Sequence, residues 1–315
     1  MQKPNLYPLV MTPSLHVKVW GGRRLETMMG KSLPTDEPYG EAWEVHDTAI
    51  VANGALAGKT LGEVLSLYGH DLVGEKNDPA LGFPLLVKLL DATDWLSVQV
   101  HPNDEQAQRY DQQPRGKTEA WYVLNADEGA QLVYGMKSGM SGEEMEAAIR
   151  ENRLEPLLNM VEVQAADALF VSPGTVHALG PGLLIYEIQQ SSDLTYRLYD
   201  WGRVGLDGKP RDLHIEKGVA VSITAYTPNV KRGDVNRVLV ECPYFRTSVR
   251  IFDGELVVVP TEAAFHLLTV IDGALTVEAE GVSESLVKGQ SAVIPASISS
   301  STVAGSGKLL TSYQP

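Results

Sequence analysis

Short runs rich in Val, Leu and Ile recur along the chain and are broken by Gly, Pro, Asn or Asp. Leu85–Leu90, Trp95–Val100, Trp121–Leu124, Ala168–Val171, Leu183–Tyr186 and Leu256–Val259 are examples. Their brevity and β-branching predict strands, and their spacing with turn residues predicts a sandwich or barrel. Helical patterns are fewer. Thr60 and Glu63 have the form of a capping box ahead of an apolar-periodic segment through Tyr68, and Ser141 and Glu144 repeat it ahead of a segment reaching Arg150. A third helical stretch is expected over Glu105–Tyr110. These signals are structural and carry no chemistry.

A faint internal repeat divides the chain. Asp167 to Pro173 reads as a turn residue, a mostly apolar run and a proline, and Gly289 to Pro295 reads the same way. The first copy continues Gly174-Thr175-Val176-His177. The second continues Ala296-Ser297-Ile298-Ser299, without a histidine. One chemically active and one inactive β module therefore account for the length. The polar run Pro228 to Asp234 marks the join, so we expect units over 1–235 and 236–315.

Composition narrows the partners. The 315 residues carry a formal net charge of −14, which disfavours nucleic acid and anionic membrane surfaces, since both attract a basic face. A phosphate ester would need a local group of Lys and Arg. No run approaches the roughly 20 apolar residues of a membrane span, and Met1 to Pro8 lacks the apolar core of a secretory signal. Cys242 is the single cysteine, so no intrachain disulfide or multi-cysteine metal site forms. A cytoplasmic setting is expected.

The segment Leu96 to Asp104 is the most informative. In a strand, Gln99 and His101 share one face while Val98 and Val100 share the other. Two polar groups leaving an apolar strand together need a partner if buried, and a metal would satisfy both. Gly116-Lys117-Thr118-Glu119 places a lysine and a carboxylate two positions apart before an apolar run, and Pro173-Gly174-Thr175-Val176-His177 aims an imidazole just after a tight turn. Singly, each reads equally well as an edge strand, a surface ion pair and a turn histidine. Together they supply a nitrogen and oxygen donor set for a divalent metal such as zinc.

These residues resemble type I phosphomannose isomerase, a zinc-dependent family of the cupin superfamily, in its short form. The resemblance begins at Trp20 to Leu25, continues through Tyr39 to Glu44 and Leu96 to Pro102, and reaches Trp201. It implies a mainly β fold of two cupin-like barrel or jelly-roll modules with a few short helices. It implies one Zn2+ per chain on Gln99, His101, Glu119 and His177. The implied reaction interconverts mannose 6-phosphate and fructose 6-phosphate by proton transfer through a cis-enediol or enediolate. Within Tyr186 to Trp201, Arg197 matches the family's essential arginine and Glu187 its acid.

Arg197 is expected to hold the phosphate or a developing oxyanion. Lys117 and Glu187 compete for the role of proton carrier, and Ser97 and Lys88 are phosphate-binding candidates. Longer members read His-Lys-Pro-Glu where this chain has Gly116-Lys117-Thr118-Glu119, so a histidine is missing there. The expected partner is a phosphorylated hexose, and the expected assembly a monomer or weak homodimer. The rival functions are a cupin-type metal dioxygenase and a non-catalytic sugar-phosphate-binding protein. His16, His46, His70, His214, His266 and Cys242 receive no role.

Overall fold

The computed structural model describes residues 4–137, 140–224, 228–233, 235–260 and 263–315. Met1 to Lys3 of the N-terminal segment and Asp234 of the expected join lie outside them. The chain is mainly β, as expected, and its strands form three sheets. A seven-stranded sheet includes Leu85–Ala92, Glu119–Ala126 and Leu183–Gln190 side by side; a five-stranded sheet includes Val98–Val100, His177–Leu179 and Tyr196–Tyr199. The third, eight-stranded sheet is built mostly from residues beyond 236. Each sheet follows an open path of strands, cupin-like without full closure.

Alternation along the strands explains the layering. Ala120 and Tyr122 belong to the core facing the eight-stranded sheet, together with Leu267 and Val293. Trp121 and Val123 belong to the core facing the five-stranded sheet, with Leu132 and Tyr134. The seven-stranded sheet is thus buried on both faces, which is why its strands read as nearly continuous apolar runs. In the five-stranded sheet, Val98 and Val100 pack with Met145, Ile149 and Val221 of the helices Gly142–Arg150 and Ile215–Val221. Gln99, of opposite parity, faces the other sheet.

The predicted helices form as Leu61–Tyr68, Asp104–Asp111 and Gly142–Arg150. Both predicted capping boxes close, and Asn103 with Gln106 makes a third. Each N-cap contributes about 1 kcal/mol. The expected strand over Trp95–Val100 shortens to Val98–Val100. Trp95 instead packs on Trp201 with ring centroids 4.8 Å apart, and the Trp201 indole donates to the Leu96 carbonyl at 2.7 Å.

The units are stitched together. The strand Leu9–Thr12 pairs with Ser291–Ile294 inside the eight-stranded sheet. Behind the strand Tyr39–Val45, buried Glu44 meets Lys31 at 2.6 Å, and Ser291 donates to the same carboxylate at 3.2 Å. Burial pushes the Glu44 carboxyl up, against the pull of the Lys31 ammonium.

Candidate metal centre and active site

His101, Glu119 and His177 are fully buried and bring one donor atom each within 4.8 Å of one another. They come from different layers. Glu119 opens a strand of the seven-stranded sheet, whereas His177 opens one of the five-stranded sheet and lies opposite Gln99. His101 follows Val98–Val100 directly. His101 Nε2 lies 3.5 Å from Glu119 Oε2, and His177 Nε2 lies 3.2 Å from Glu119 Oε1. Gln99 Nε2 is 3.3 Å from His177 Nε2. Turning the Gln99 amide would present its oxygen at the same point.

The histidines are oriented as ligands. His101 Nδ1 bonds the Leu194 carbonyl at 2.8 Å and His177 Nδ1 bonds the Thr175 carbonyl at 2.8 Å. Carbonyls only accept, so each Nδ1 carries the proton and each Nε2 turns its lone pair inward. His101 Nε2 and both Glu119 oxygens are buried without a hydrogen-bond partner. Burial raises the Glu119 carboxyl, but Lys117, His177 and His101 override that and hold it well below its usual value. Burial and Lys117 keep His101 neutral by driving its pKa well below the ordinary one. An ionised carboxylate, the neutral His101 and a second imidazole anchored through its Nδ1, set around orphaned lone pairs, fit a divalent cation.

The remaining candidates fall into three places. Lys117 reaches Glu119 Oε2 at 3.3 Å, inside the cluster. Lys88 and Glu187 lie opposite each other in neighbouring strands and pair at 3.0 Å. Burial opposes the Lys88 charge, but Glu187 and Glu41 outweigh it and raise its pKa. Trp121 joins this pair to the metal donors. Its indole donates to Glu187 Oε2 at 2.8 Å, and its ring meets His177 edge-on at 5.3 Å. Arg197 stands opposite Gln99 in the next strand, and its guanidinium donates to the Asp212 carbonyl at 3.0 Å. Asp200 is taken by Arg203 and Arg211, so Arg197 is not spent on the neighbouring acid. Ser97 is buried just ahead of the strand, at the same parity as Gln99.

Lys88 and Lys117 each have a carboxylate partner, so the local positive charge rests more on Arg197 than three cations in sequence suggested. Glu41 went unassigned. Burial raises its carboxyl, yet Lys88 and Lys18 hold it below the usual range, and the Trp43 indole donates to it at 2.7 Å. The alternation Glu41-Ala42-Trp43 was its available signal, because it sets the acid and the indole on one face of a strand. A cavity of about 470 Å3 is lined by His46, Arg115, Ser191, Ser192, Asp193 and Leu194, the last of which accepts from His101 Nδ1 through its carbonyl.

Residues 9–129 match the profile of the phosphomannose isomerase type I catalytic domain, and residues 236–314 that of the mannose-6-phosphate isomerase cupin domain. A mannose-6-phosphate isomerase from Streptococcus mutans is 36% identical over 97% of this chain and 98% of its own length. The chain belongs to the type I phosphomannose isomerase family. Among family structures, the mannose 6-phosphate isomerase of Bacillus subtilis superposes with a TM-score of 0.88 at 31% identity, covering 98% of this chain and 99% of its own. A putative mannosephosphate isomerase from Archaeoglobus fulgidus gives 0.79 at 25%, covering 98% of both chains. Among the described residues, no helix is long and apolar enough to cross a membrane.

Proposed function

We propose that this chain interconverts mannose 6-phosphate and fructose 6-phosphate, with Zn2+ held by Gln99, His101, Glu119 and His177. The observation that carries this reading is the convergence of two inward-facing imidazole lone pairs on an ionised, buried carboxylate. Family membership points to the same aldose–ketose isomerisation. We take the chemistry to reside in residues 1–235, with 236–315 as a second, metal-free unit, and a cytoplasmic location for the enzyme.

An ion held there by Gln99, His101, Glu119 and His177 would supply Lewis acidity. The protein's own groups do the rest. Arg197 keeps its charge and offers a planar fork of donors to an oxyanion or the phosphate. Both Glu187 oxygens already accept, from Lys88 and from the Trp121 indole, which leaves neither turned toward a substrate proton. Among the described residues the Lys117 ammonium pairs with Glu119, a carboxylate that ligation would occupy, so Lys117 is the better-placed proton carrier.

A coupled assay with mannose 6-phosphate, run beside metal analysis, tests this reading. Isomerisation that disappears with the metal and returns with zinc is the expected result. A metal-loaded protein that binds the sugar phosphate without converting it, or that consumes oxygen, would overturn it. Rate profiles against pH for Lys117→Ala and Glu187→Gln assign the proton carrier.

A further inference from the structure

The loop that carries Lys117 into the site is tied at three successive amides. Gly116 N donates to Asp104 Oδ1 at 2.7 Å, Lys117 N to the Pro102 carbonyl at 2.9 Å, and Thr118 N to Gln190 Oε1 at 2.9 Å. Gln190 is itself held by Asp104, to which its amide nitrogen donates at 3.0 Å. Asp104 therefore fixes two of the three ties, one directly and one through Gln190. The loop lies so close to its support that a side-chain carbon on Gly116 would sit 2.4 Å from the Asn103 carbonyl carbon. The next residue along is Glu119, the central carboxylate of the metal cluster.

The second oxygen of Asp104 is claimed from outside the catalytic unit. Tyr244 donates its hydroxyl to Asp104 Oδ2 at 2.7 Å across 140 positions of sequence. Tyr244 sits in the turn between the strands Arg237–Glu241 and Arg246–Pro260, whose ends pair at Glu241 and Arg246. That turn is well pinned. Cys242 N donates to the Phe245 carbonyl at 3.0 Å, Pro243 fixes the backbone between them, and Phe245 is completely buried. A phenol held by such a turn reaches the carboxylate at 2.7 Å, a short and directional hydrogen bond.

We propose that Tyr244 is a positioning residue for the active site: through Asp104 it sets the 116–119 loop, and with it Lys117 and Glu119. Residues 236–315, which among the described residues bring no donor to the metal cluster, thereby take part in catalysis. This rests on the isomerase reading for its activity readout, but the ties themselves can be followed without turnover.

Tyr244→Phe removes one oxygen and leaves the ring packed. Amide exchange measured on the metal-free protein should quicken at Gly116 and Thr118 and stay unchanged in the strand Gln131–Met136. With zinc bound, kcat on mannose 6-phosphate should fall about fivefold while KM stays within about twofold, the size expected for one hydrogen bond. Asp104→Asn should lower kcat further, and adding Tyr244→Phe to it should cost little more, because the two groups act in series. Unchanged exchange at Gly116 and Thr118, strictly additive losses, or a loss matched by faster exchange throughout the chain would each overturn the proposal. An inactive wild-type enzyme would instead refute the isomerase reading, with the exchange measurement still deciding the role of Tyr244.

Discussion

Two regions of this chain bury different things. Between the seven- and five-stranded sheets lie Lys88, His101, Lys117, Glu119, His177 and Glu187, all within a shell of aliphatic and aromatic side chains. The C-terminal sheet has an interior of Val, Leu, Ile, Phe and Ala, and its buried polar residues are hydroxyls and His266. Among the described residues beyond 236, no Asp, Glu, Lys or Arg is buried. Enclosing a charge without a partner costs several kcal/mol, so such groups stay inside where a counter-charge compensates them, as Lys31 does for Glu44, or where an ion or substrate can. The strand–turn repeat shows the difference in miniature. In the first copy Gly174 adopts φ +84°, where a side-chain carbon would meet the Val221 carbonyl, and the chain then delivers His177 to the interior. The second copy has Ala296 in the matching place, and the position of His177 is taken by exposed Ser299.

The contrast breaks most sharply at the carboxylate. Glu119→Gln should abolish metal retention and lower turnover on the order of 10^3-fold or more, read by metal analysis and the coupled assay. Arg197→Ala should leave the metal in place and reduce kcat by about 10^2- to 10^3-fold, the cost of losing one preorganised donor to a developing charge. In the other unit, Leu268→Ala should lower unfolding free energy by about 3 kcal/mol, with metal content and the kcat of folded enzyme unaltered.

Acid sharpens the distinction without mutation. The depressed Glu119 carboxyl contributes stability to the metal-free protein above its ordinary value of 4.5 and loses it as pH falls through the lowered native value. Below pH 4.5, wild-type metal-free protein should therefore lose more stability than its Glu119→Gln counterpart in parallel denaturant titrations. Smallest of all, Ser299→His should shift stability by no more than about 0.5 kcal/mol and create no second metal site.

Much of this was legible in the sequence because the relevant signals are local. Capping boxes at Thr60 and Ser141 marked real helix starts, and the parity of Gln99 against Val98 and Val100 told which face turns inward. The donors His101, Glu119 and His177 stood out as polar residues at the edges of apolar runs. What was illegible depends on distant partners. Lys88 reads as a free cation until the register places Glu187 opposite it. Nothing near Asp104 announces Tyr244, and nothing near Glu44 announces Lys31 or Ser291. Trp95 and Leu96 read as strand because their β propensity is high, but stacking on Trp201 won.

The strand Leu9–Thr12 finishes its pairing only against Ser291–Ile294. On the ribosome, these partners are separated by roughly 280 residues, or about 15 to 60 seconds of synthesis at ordinary elongation rates. Throughout that interval an apolar segment waits with one unmet edge. A nascent chain of this protein is therefore most exposed to aggregation early and longest at its beginning, and a holding chaperone would find its target there.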